Sequence, residues 1–226
     1  MNVYIFGDSI MRGVVLDEKE NRYRTISENN FTSVGKKFSL VLKNMSRFGS
    51  TLPKGIKIID KALDNKMKCD YALVEFGGND CSYDWEKVAR APEGEHLPYT
   101  TPDQFRKLYF ETINKLKNAG IIPVLMTLPP IDSDLYVDWV SKCENDKTNI
   151  IKWLGDKHMM YRWHEFYSDI VAKIAAETKT LCADIRSEFL KRHDFKMLLC
   201  RDWIHPNEQG HTVIKNAFEA FLSEVL

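Results

Sequence analysis

Neither sign of charge is in excess. The 226 residues hold 32 Lys and Arg against 32 Asp and Glu, a formal net charge of zero. Chains that grip nucleic acid or an anionic membrane ordinarily carry a basic surplus, so neither partner is expected here. No stretch approaches the roughly 18 consecutive apolar residues of a membrane span. The first residues, MNVYIFGDSI, lack the basic segment, long apolar stretch and small-residue cleavage site of a secretory signal. The five cysteines, Cys69, Cys81, Cys143, Cys182 and Cys200, form no C-x-x-C pair. An odd and scattered set reads as reduced thiols, and with the missing signal it gives the expectation of a cytoplasmic protein. Repeats, low-complexity runs and an evident linker are also missing. A single domain over 1–226 is therefore expected.

What is present is an alternation of short apolar runs and helical patterns. Val3–Phe6, Ser39–Asn44, Tyr71–Phe76, Ile121–Thr127 and Leu181–Ile185 read as strands. Pro102–Ala119 repeats apolar residues at three- and four-residue spacing and stops at Gly120. Trp163–Lys179 does the same through Phe166, Ile170, Val171 and Ile174, and a last helix over Glu208–Val225 starts from a capping Asn207. Strands alternating with helices predict an α/β fold with a parallel sheet covered on both faces. In such sheets ligands bind beyond the carboxyl ends of the strands, and Ser9 follows the first one. Segments 81–101 and 131–161 break the alternation after strands at that edge, and read as loop excursions over it.

Four short stretches carry polar groups to this edge. FGDSI puts Ser9 at a strand end, where it can cap a helix or serve as a nucleophile. RFGST holds Gly49, which can expose a bare backbone N–H or simply make a turn. FGGND offers the Asn79 side-chain amide, a donor suited to an oxyanion. DWIHPN sets Asp202 three residues before His205, close enough for the carboxylate to fix the imidazole tautomer. Each stretch alone has a structural explanation; together they supply a nucleophile, a base, its orienting carboxylate and oxyanion donors.

These four blocks, in this order and across nearly the whole chain, resemble the SGNH (GDSL-type) hydrolase family. The resemblance implies the flavodoxin-like SGNH fold, a three-layer α/β/α sandwich around a central, mostly parallel sheet of about five strands, with Ser9 as nucleophile, His205 as base and Asp202 as its partner. It further implies an oxyanion hole made of the Ser9 N–H, the Gly49 N–H and the Asn79 side chain. Neither cofactor nor metal is implied. The second block lacks the Asn-x-Gly run common in relatives, with Asn44 lying five residues before Gly49.

The expected substrate is a small soluble carboxylic ester, with an acetylated carbohydrate as the specific expectation. Aromatic residues of the excursions, foremost Tyr83, Trp85 and Trp139, are candidates to line the cleft, as are His96, Tyr99, Trp153, Tyr161 and Trp163. The competing reading for each is that it packs an excursion onto the sheet. Alternatives in other classes are an acyltransferase using the same groups, a metallophosphoesterase and a non-catalytic binding module. The second lacks an Asp-x-His after the first strand, and the third leaves the Ser9, Asn79, Asp202 and His205 set without a purpose. A homodimer is the base-rate expectation for assembly.

Overall fold

A computed structural model describes residues 1–26 and 30–226. In chain order the elements are β1 (Asn2–Phe6), α1 (Ser9–Arg12), β2 (Val14–Asp17), β3 (Arg22–Thr25), α2 (Asn30–Lys37), β4 (Val41–Asn44), α3 (Leu52–Asp64) and β5 (Tyr71–Val74). There follow α4 (Trp85–Arg90), α5 (Pro102–Asn118), β6 (Ile122–Met126), α6 (Ser133–Val140), α7 (Glu144–Leu154), α8 (Met159–Thr178), β7 (Leu181–Ala183), α9 (Ile185–Leu190) and α10 (Glu208–Val225).

Five strands form one parallel sheet in the order β4-β1-β5-β6-β7. The chain moves one way from β1 to β4 and the other way from β5 onward. The order therefore reverses between β1 and β5, which opens a crevice at their carboxyl ends. Both faces of the sheet are covered, which is why its strands read as unbroken apolar runs. Ala72 and Val74 of β5 face the side packed by α3, α5 and α8, with Phe105, Tyr109, Ile113, Tyr167 and Val171. Leu73, between them, faces the other side with Phe31, Ile185, Phe189, Val213, Ile214 and Phe218 from α2, α9 and α10. This is the expected three-layer α/β/α sandwich.

The sheet strands are shorter than the apolar runs suggested. The run at Ser39 enters β4 only at Val41, because Ser39 has a φ of 53° and turns the chain out of α2. The last run stops at Ala183, because the Asp184 side chain accepts from the Ser187 N–H and caps α9. The β2–β3 hairpin was not anticipated: RYRT carries no apolar alternation and is exposed along its length. The two excursions contain helices rather than loops alone. α4 from the first packs on α6 and α7 from the second through Tyr83, Val88, Val137, Ile150 and Met160. α8 begins at Met159, ahead of the expected Trp163, and Phe166 is 43% exposed rather than part of its buried stripe.

Candidate active site

Ser9 opens α1 one residue beyond the end of β1 and its turn. Asp8 caps that helix, its Oδ1 accepting from the Ile10 N–H at 2.9 Å. With four residues, α1 is one turn, so it supplies little helix dipole. The DWIHPN segment reaches Ser9 from the far end of the chain. Cys200 N–H donates to the His205 carbonyl at 2.7 Å, and the Asn207 carboxamide caps α10 by accepting from Gly210 N–H at 3.0 Å. Trp203, at φ 63°, takes a left-handed conformation that a bulky residue adopts only when its surroundings impose it. Its N–H bonds to Cys200 O and its carbonyl accepts from Asp132 N–H, so the turn is held on both sides.

The result is a three-member chain. Ser9 Oγ lies 2.8 Å from His205 Nε2, and His205 Nδ1 lies 2.6 Å from Asp202 Oδ2. All three side chains are buried. Burial opposes the charge on Asp202, but the His205 ring and the N–H groups of His205 and Ile204 outweigh it and hold the carboxyl below its ordinary value. An ionised carboxylate only accepts, so Nδ1 carries the ring proton and Nε2 is left to accept from Ser9. That arrangement can strip the serine proton and store it as an imidazolium.

Asn79 comes to the same place from the end of β5. Its Nδ2 donates one hydrogen to Asp8 Oδ2 at 2.9 Å, which fixes the amide and leaves the second hydrogen for a ligand. Asp8 is itself wholly buried. Its N–H donates to Glu75 Oε2 at 3.3 Å, and among the described residues Glu75 Oε1 has no hydrogen-bond partner. Burial pushes both carboxyls up. Glu75 goes well above its ordinary value because Asp8 and Asp80 add like charge, whereas Ile10, His205 and Asn79 relieve Asp8. Gly49 lines the same cavity as Ser9 and Asn79; its φ of 65° suits glycine. Arg47 N–H, two residues earlier, donates to Gly7 O at 3.0 Å and ties that turn to the end of β1.

The cavity over Ser9 measures about 390 Å³. Tyr83, Trp85, Trp153 and Trp163 are in its wall, and among the described residues no Lys or Arg lines it. Trp139 does not line it: Tyr136 and Val137 take the inner face of α6, and Trp139 is turned outward, 38% exposed. His96, Tyr99 and Tyr161 also stay out. His96 packs edge-on to Trp153, Tyr99 is exposed, and Tyr161 lies under the Arg186 guanidinium. Residues that sequence reasoning missed are Tyr23, Phe48, Tyr136 and His164. Tyr23 and Phe48 flank the His205 ring at centroid distances of 5.2 and 5.9 Å. Phe48 directly precedes Gly49, so the RFGST block held that signal; Tyr23 sits on the unforeseen hairpin. His164 is buried on α8 with Nδ1 lacking a protein partner, and burial followed by the Arg186 charge lowers it to about 3. Among the described residues no group of three or more His, Cys, Asp or Glu is arranged to hold a metal ion.

Comparison with known proteins bears on the family and the fold. A model of the GDSL-like lipase/acylhydrolase family matches residues 5–213. Curated proteins give no match. Solved structures do. A lipase/acylhydrolase from Enterococcus faecalis is 18% identical with a TM-score of 0.67, covering 100% of this chain and 96% of its own. A variant of an acetylxylan esterase from Geobacillus stearothermophilus is 17% identical with a TM-score of 0.68, over 98% of this chain and 93% of its own. Another acetyl xylan esterase, AlAXEase, is 21% identical with a TM-score of 0.64 over 100% of both chains. At these identities the structures speak for the shared fold.

Proposed function

The chain belongs to the GDSL-like lipase/acylhydrolase family and is an ester hydrolase of that class; from this we propose that it works through an acyl-enzyme on Ser9, with an acetylated carbohydrate as its substrate. The observation that carries the mechanism is the Ser9–His205–Asp202 chain at 2.8 and 2.6 Å. His205 Nε2 takes the Ser9 proton as Oγ bonds to the ester carbonyl carbon. The carbonyl oxygen becomes an oxyanion, received by the Ser9 N–H, the Gly49 N–H and the free hydrogen of Asn79. The intermediate collapses as the imidazolium protonates the departing alcohol. Water then adds to the acyl carbon with His205 as base, and the carboxylic acid leaves with Ser9 restored. Every proton is handled by Ser9, His205 and water, so no cofactor is required.

The carbohydrate reading is supported by the cavity. At about 390 Å³ it is far larger than an acetyl group, so a second part of the substrate fills it. Its aromatic walls suit the apolar faces of a sugar ring. His164, neutral and with an unpartnered nitrogen, suits a hydroxyl. The five free cysteines support action in a reducing cytoplasm. A kinetic comparison tests the substrate: acetylated monosaccharides should give a higher kcat/KM than p-nitrophenyl esters of medium-chain acids. The reverse order would assign the cavity to an acyl chain instead. Added alcohols should leave the free acid as the main product; a transferred ester as the main product would make the protein an acyltransferase.

A further inference from the structure

A second concavity, of about 630 Å³, adjoins the Ser9 cavity, and Phe48 and Gly49 line both. Its chemistry is opposite. Lys43 at the end of β4, Arg47 in the following turn, and Lys54, Lys57 and Lys61 along α3 line it, and among the described residues no Asp or Glu does. All five are exposed. Among the described residues none of the five forms an ion pair. Lys54 reaches the Gly49 carbonyl at 3.3 Å and Lys43 the Tyr4 hydroxyl at 3.4 Å, and neither partner carries a charge. Other lysines are paired: Lys115 with Asp60, Lys147 with Asp138, Lys196 with Asp132. Asp60 shares α3 with the three lysines, yet it turns to α5 to meet Lys115 and leaves them uncompensated.

This clustering works against the local structure. Lys57 and Lys61 stand four residues apart on one helix face, where like charges are destabilising. In a chain whose charges balance at 32 and 32, five unpaired cations on one groove are a segregation that folding does not require. From Lys54 to Lys61 the helix spans about 10 Å, so the cations form a track rather than a point. The track ends at Gly49, beside the serine. An occupant that reaches it is therefore another part of the molecule whose ester lies at Ser9.

Resting on the esterase reading above, we propose that this groove binds the anionic portion of the substrate, and that the substrate is an acetylated acidic carbohydrate bearing carboxylate, sulfate or phosphate groups. The ester end enters the cation-free aromatic cavity, and the negative groups lie along Arg47, Lys54, Lys57 and Lys61. Unpaired surface cations of this kind raise the encounter rate and set the register of an anionic ligand.

The test measures kcat/KM for matched acetylated oligosaccharides, one neutral, one uronate-bearing, one sulfated and one phosphorylated, in the wild type and in a K57E/K61E variant. p-Nitrophenyl acetate is run beside them. In the wild type at least one anionic ester should exceed the neutral one by about tenfold at low salt, and the advantage should shrink as salt rises. In K57E/K61E the anionic-to-neutral ratio should fall to one or below. The arm with the largest ratio identifies the anion. A wild-type ratio near one, or a ratio that K57E/K61E leaves intact, overturns the groove assignment while p-nitrophenyl acetate hydrolysis keeps the esterase standing. No hydrolysis of any ester would instead overturn the esterase reading. Sedimentation with phosphatidylserine vesicles, without selectivity among the soluble esters, would also overturn the assignment, in favour of a membrane surface.

Discussion

Asn79 has two amide hydrogens, and Asp8 accepts one of them at 2.9 Å. Its proposed role as an oxyanion donor therefore depends on Asp8, the residue just before Ser9, which fixes the amide. Asn79→Ala should lower kcat by roughly 10²- to 10³-fold with little change in KM, since the lost contact forms only as charge develops. Steady-state kinetics on p-nitrophenyl acetate checks this, and an unchanged kcat removes Asn79 from the hole. Asp202→Asn should cost about 10⁴-fold in kcat, because an amide in place of the carboxylate no longer selects the tautomer in which Nε2 accepts from Ser9. Ser9, His205 and Asp202 were legible because four stretches, each with a structural explanation by itself, together supply a nucleophile, a base, its orienting carboxylate and oxyanion donors. His164 was not, because a histidine within an apolar helical pattern gives no sign of which wall it faces.

At the scale of elements, Gly55 shows what holds the site's floor. A Cβ built there would stand 2.2 Å from the Phe76 ring, so α3 packs on the Phe76 side chain, just beyond the end of β5, more closely than any other residue type would permit. Gly55→Ala should destabilise the fold by about 1–3 kcal/mol, measured by urea denaturation. The Phe76 side chain is buried and has little room to yield. The five sheet strands and the long helices α5, α8 and α10 were readable because each buries one apolar stripe or run against the other layer. The β2–β3 hairpin and the helices α4, α6 and α7 were not. RYRT buries nothing that would pattern it, and the three short helices bury aromatics against one another rather than against the sheet. Trp139 was misassigned for the same reason, as its side on α6 depends on packing between the two excursions.

The whole molecule balances its charges in number but not in place. Cations gather along α3, and uncharged or reluctantly charged acids gather beneath the active edge. Asp80 is the measurable case: burial raises it to about 7, although Thr100 and the Leu52 N–H donate to it. Between about pH 4 and 7 the folded protein keeps a proton there that the unfolded chain releases, so stability should fall as pH rises through this window. Asp8 and Glu75, raised in the same direction, add to the fall. Asp80→Asn should make the decline shallower by about 2–4 kcal/mol, read from denaturation midpoints across pH. An unaltered slope would mean that Asp80 is ionised throughout. The proposed mechanism rests on one atom, the Ser9 oxygen held 2.8 Å from His205. Treating the protein with a serine-directed organophosphate, then weighing it intact and mapping its peptides, tests that directly. A single adduct on Ser9 with loss of p-nitrophenyl acetate hydrolysis is the predicted result. A folded sample that hydrolyses the ester yet carries no adduct on Ser9, or carries it on another residue, would contradict it.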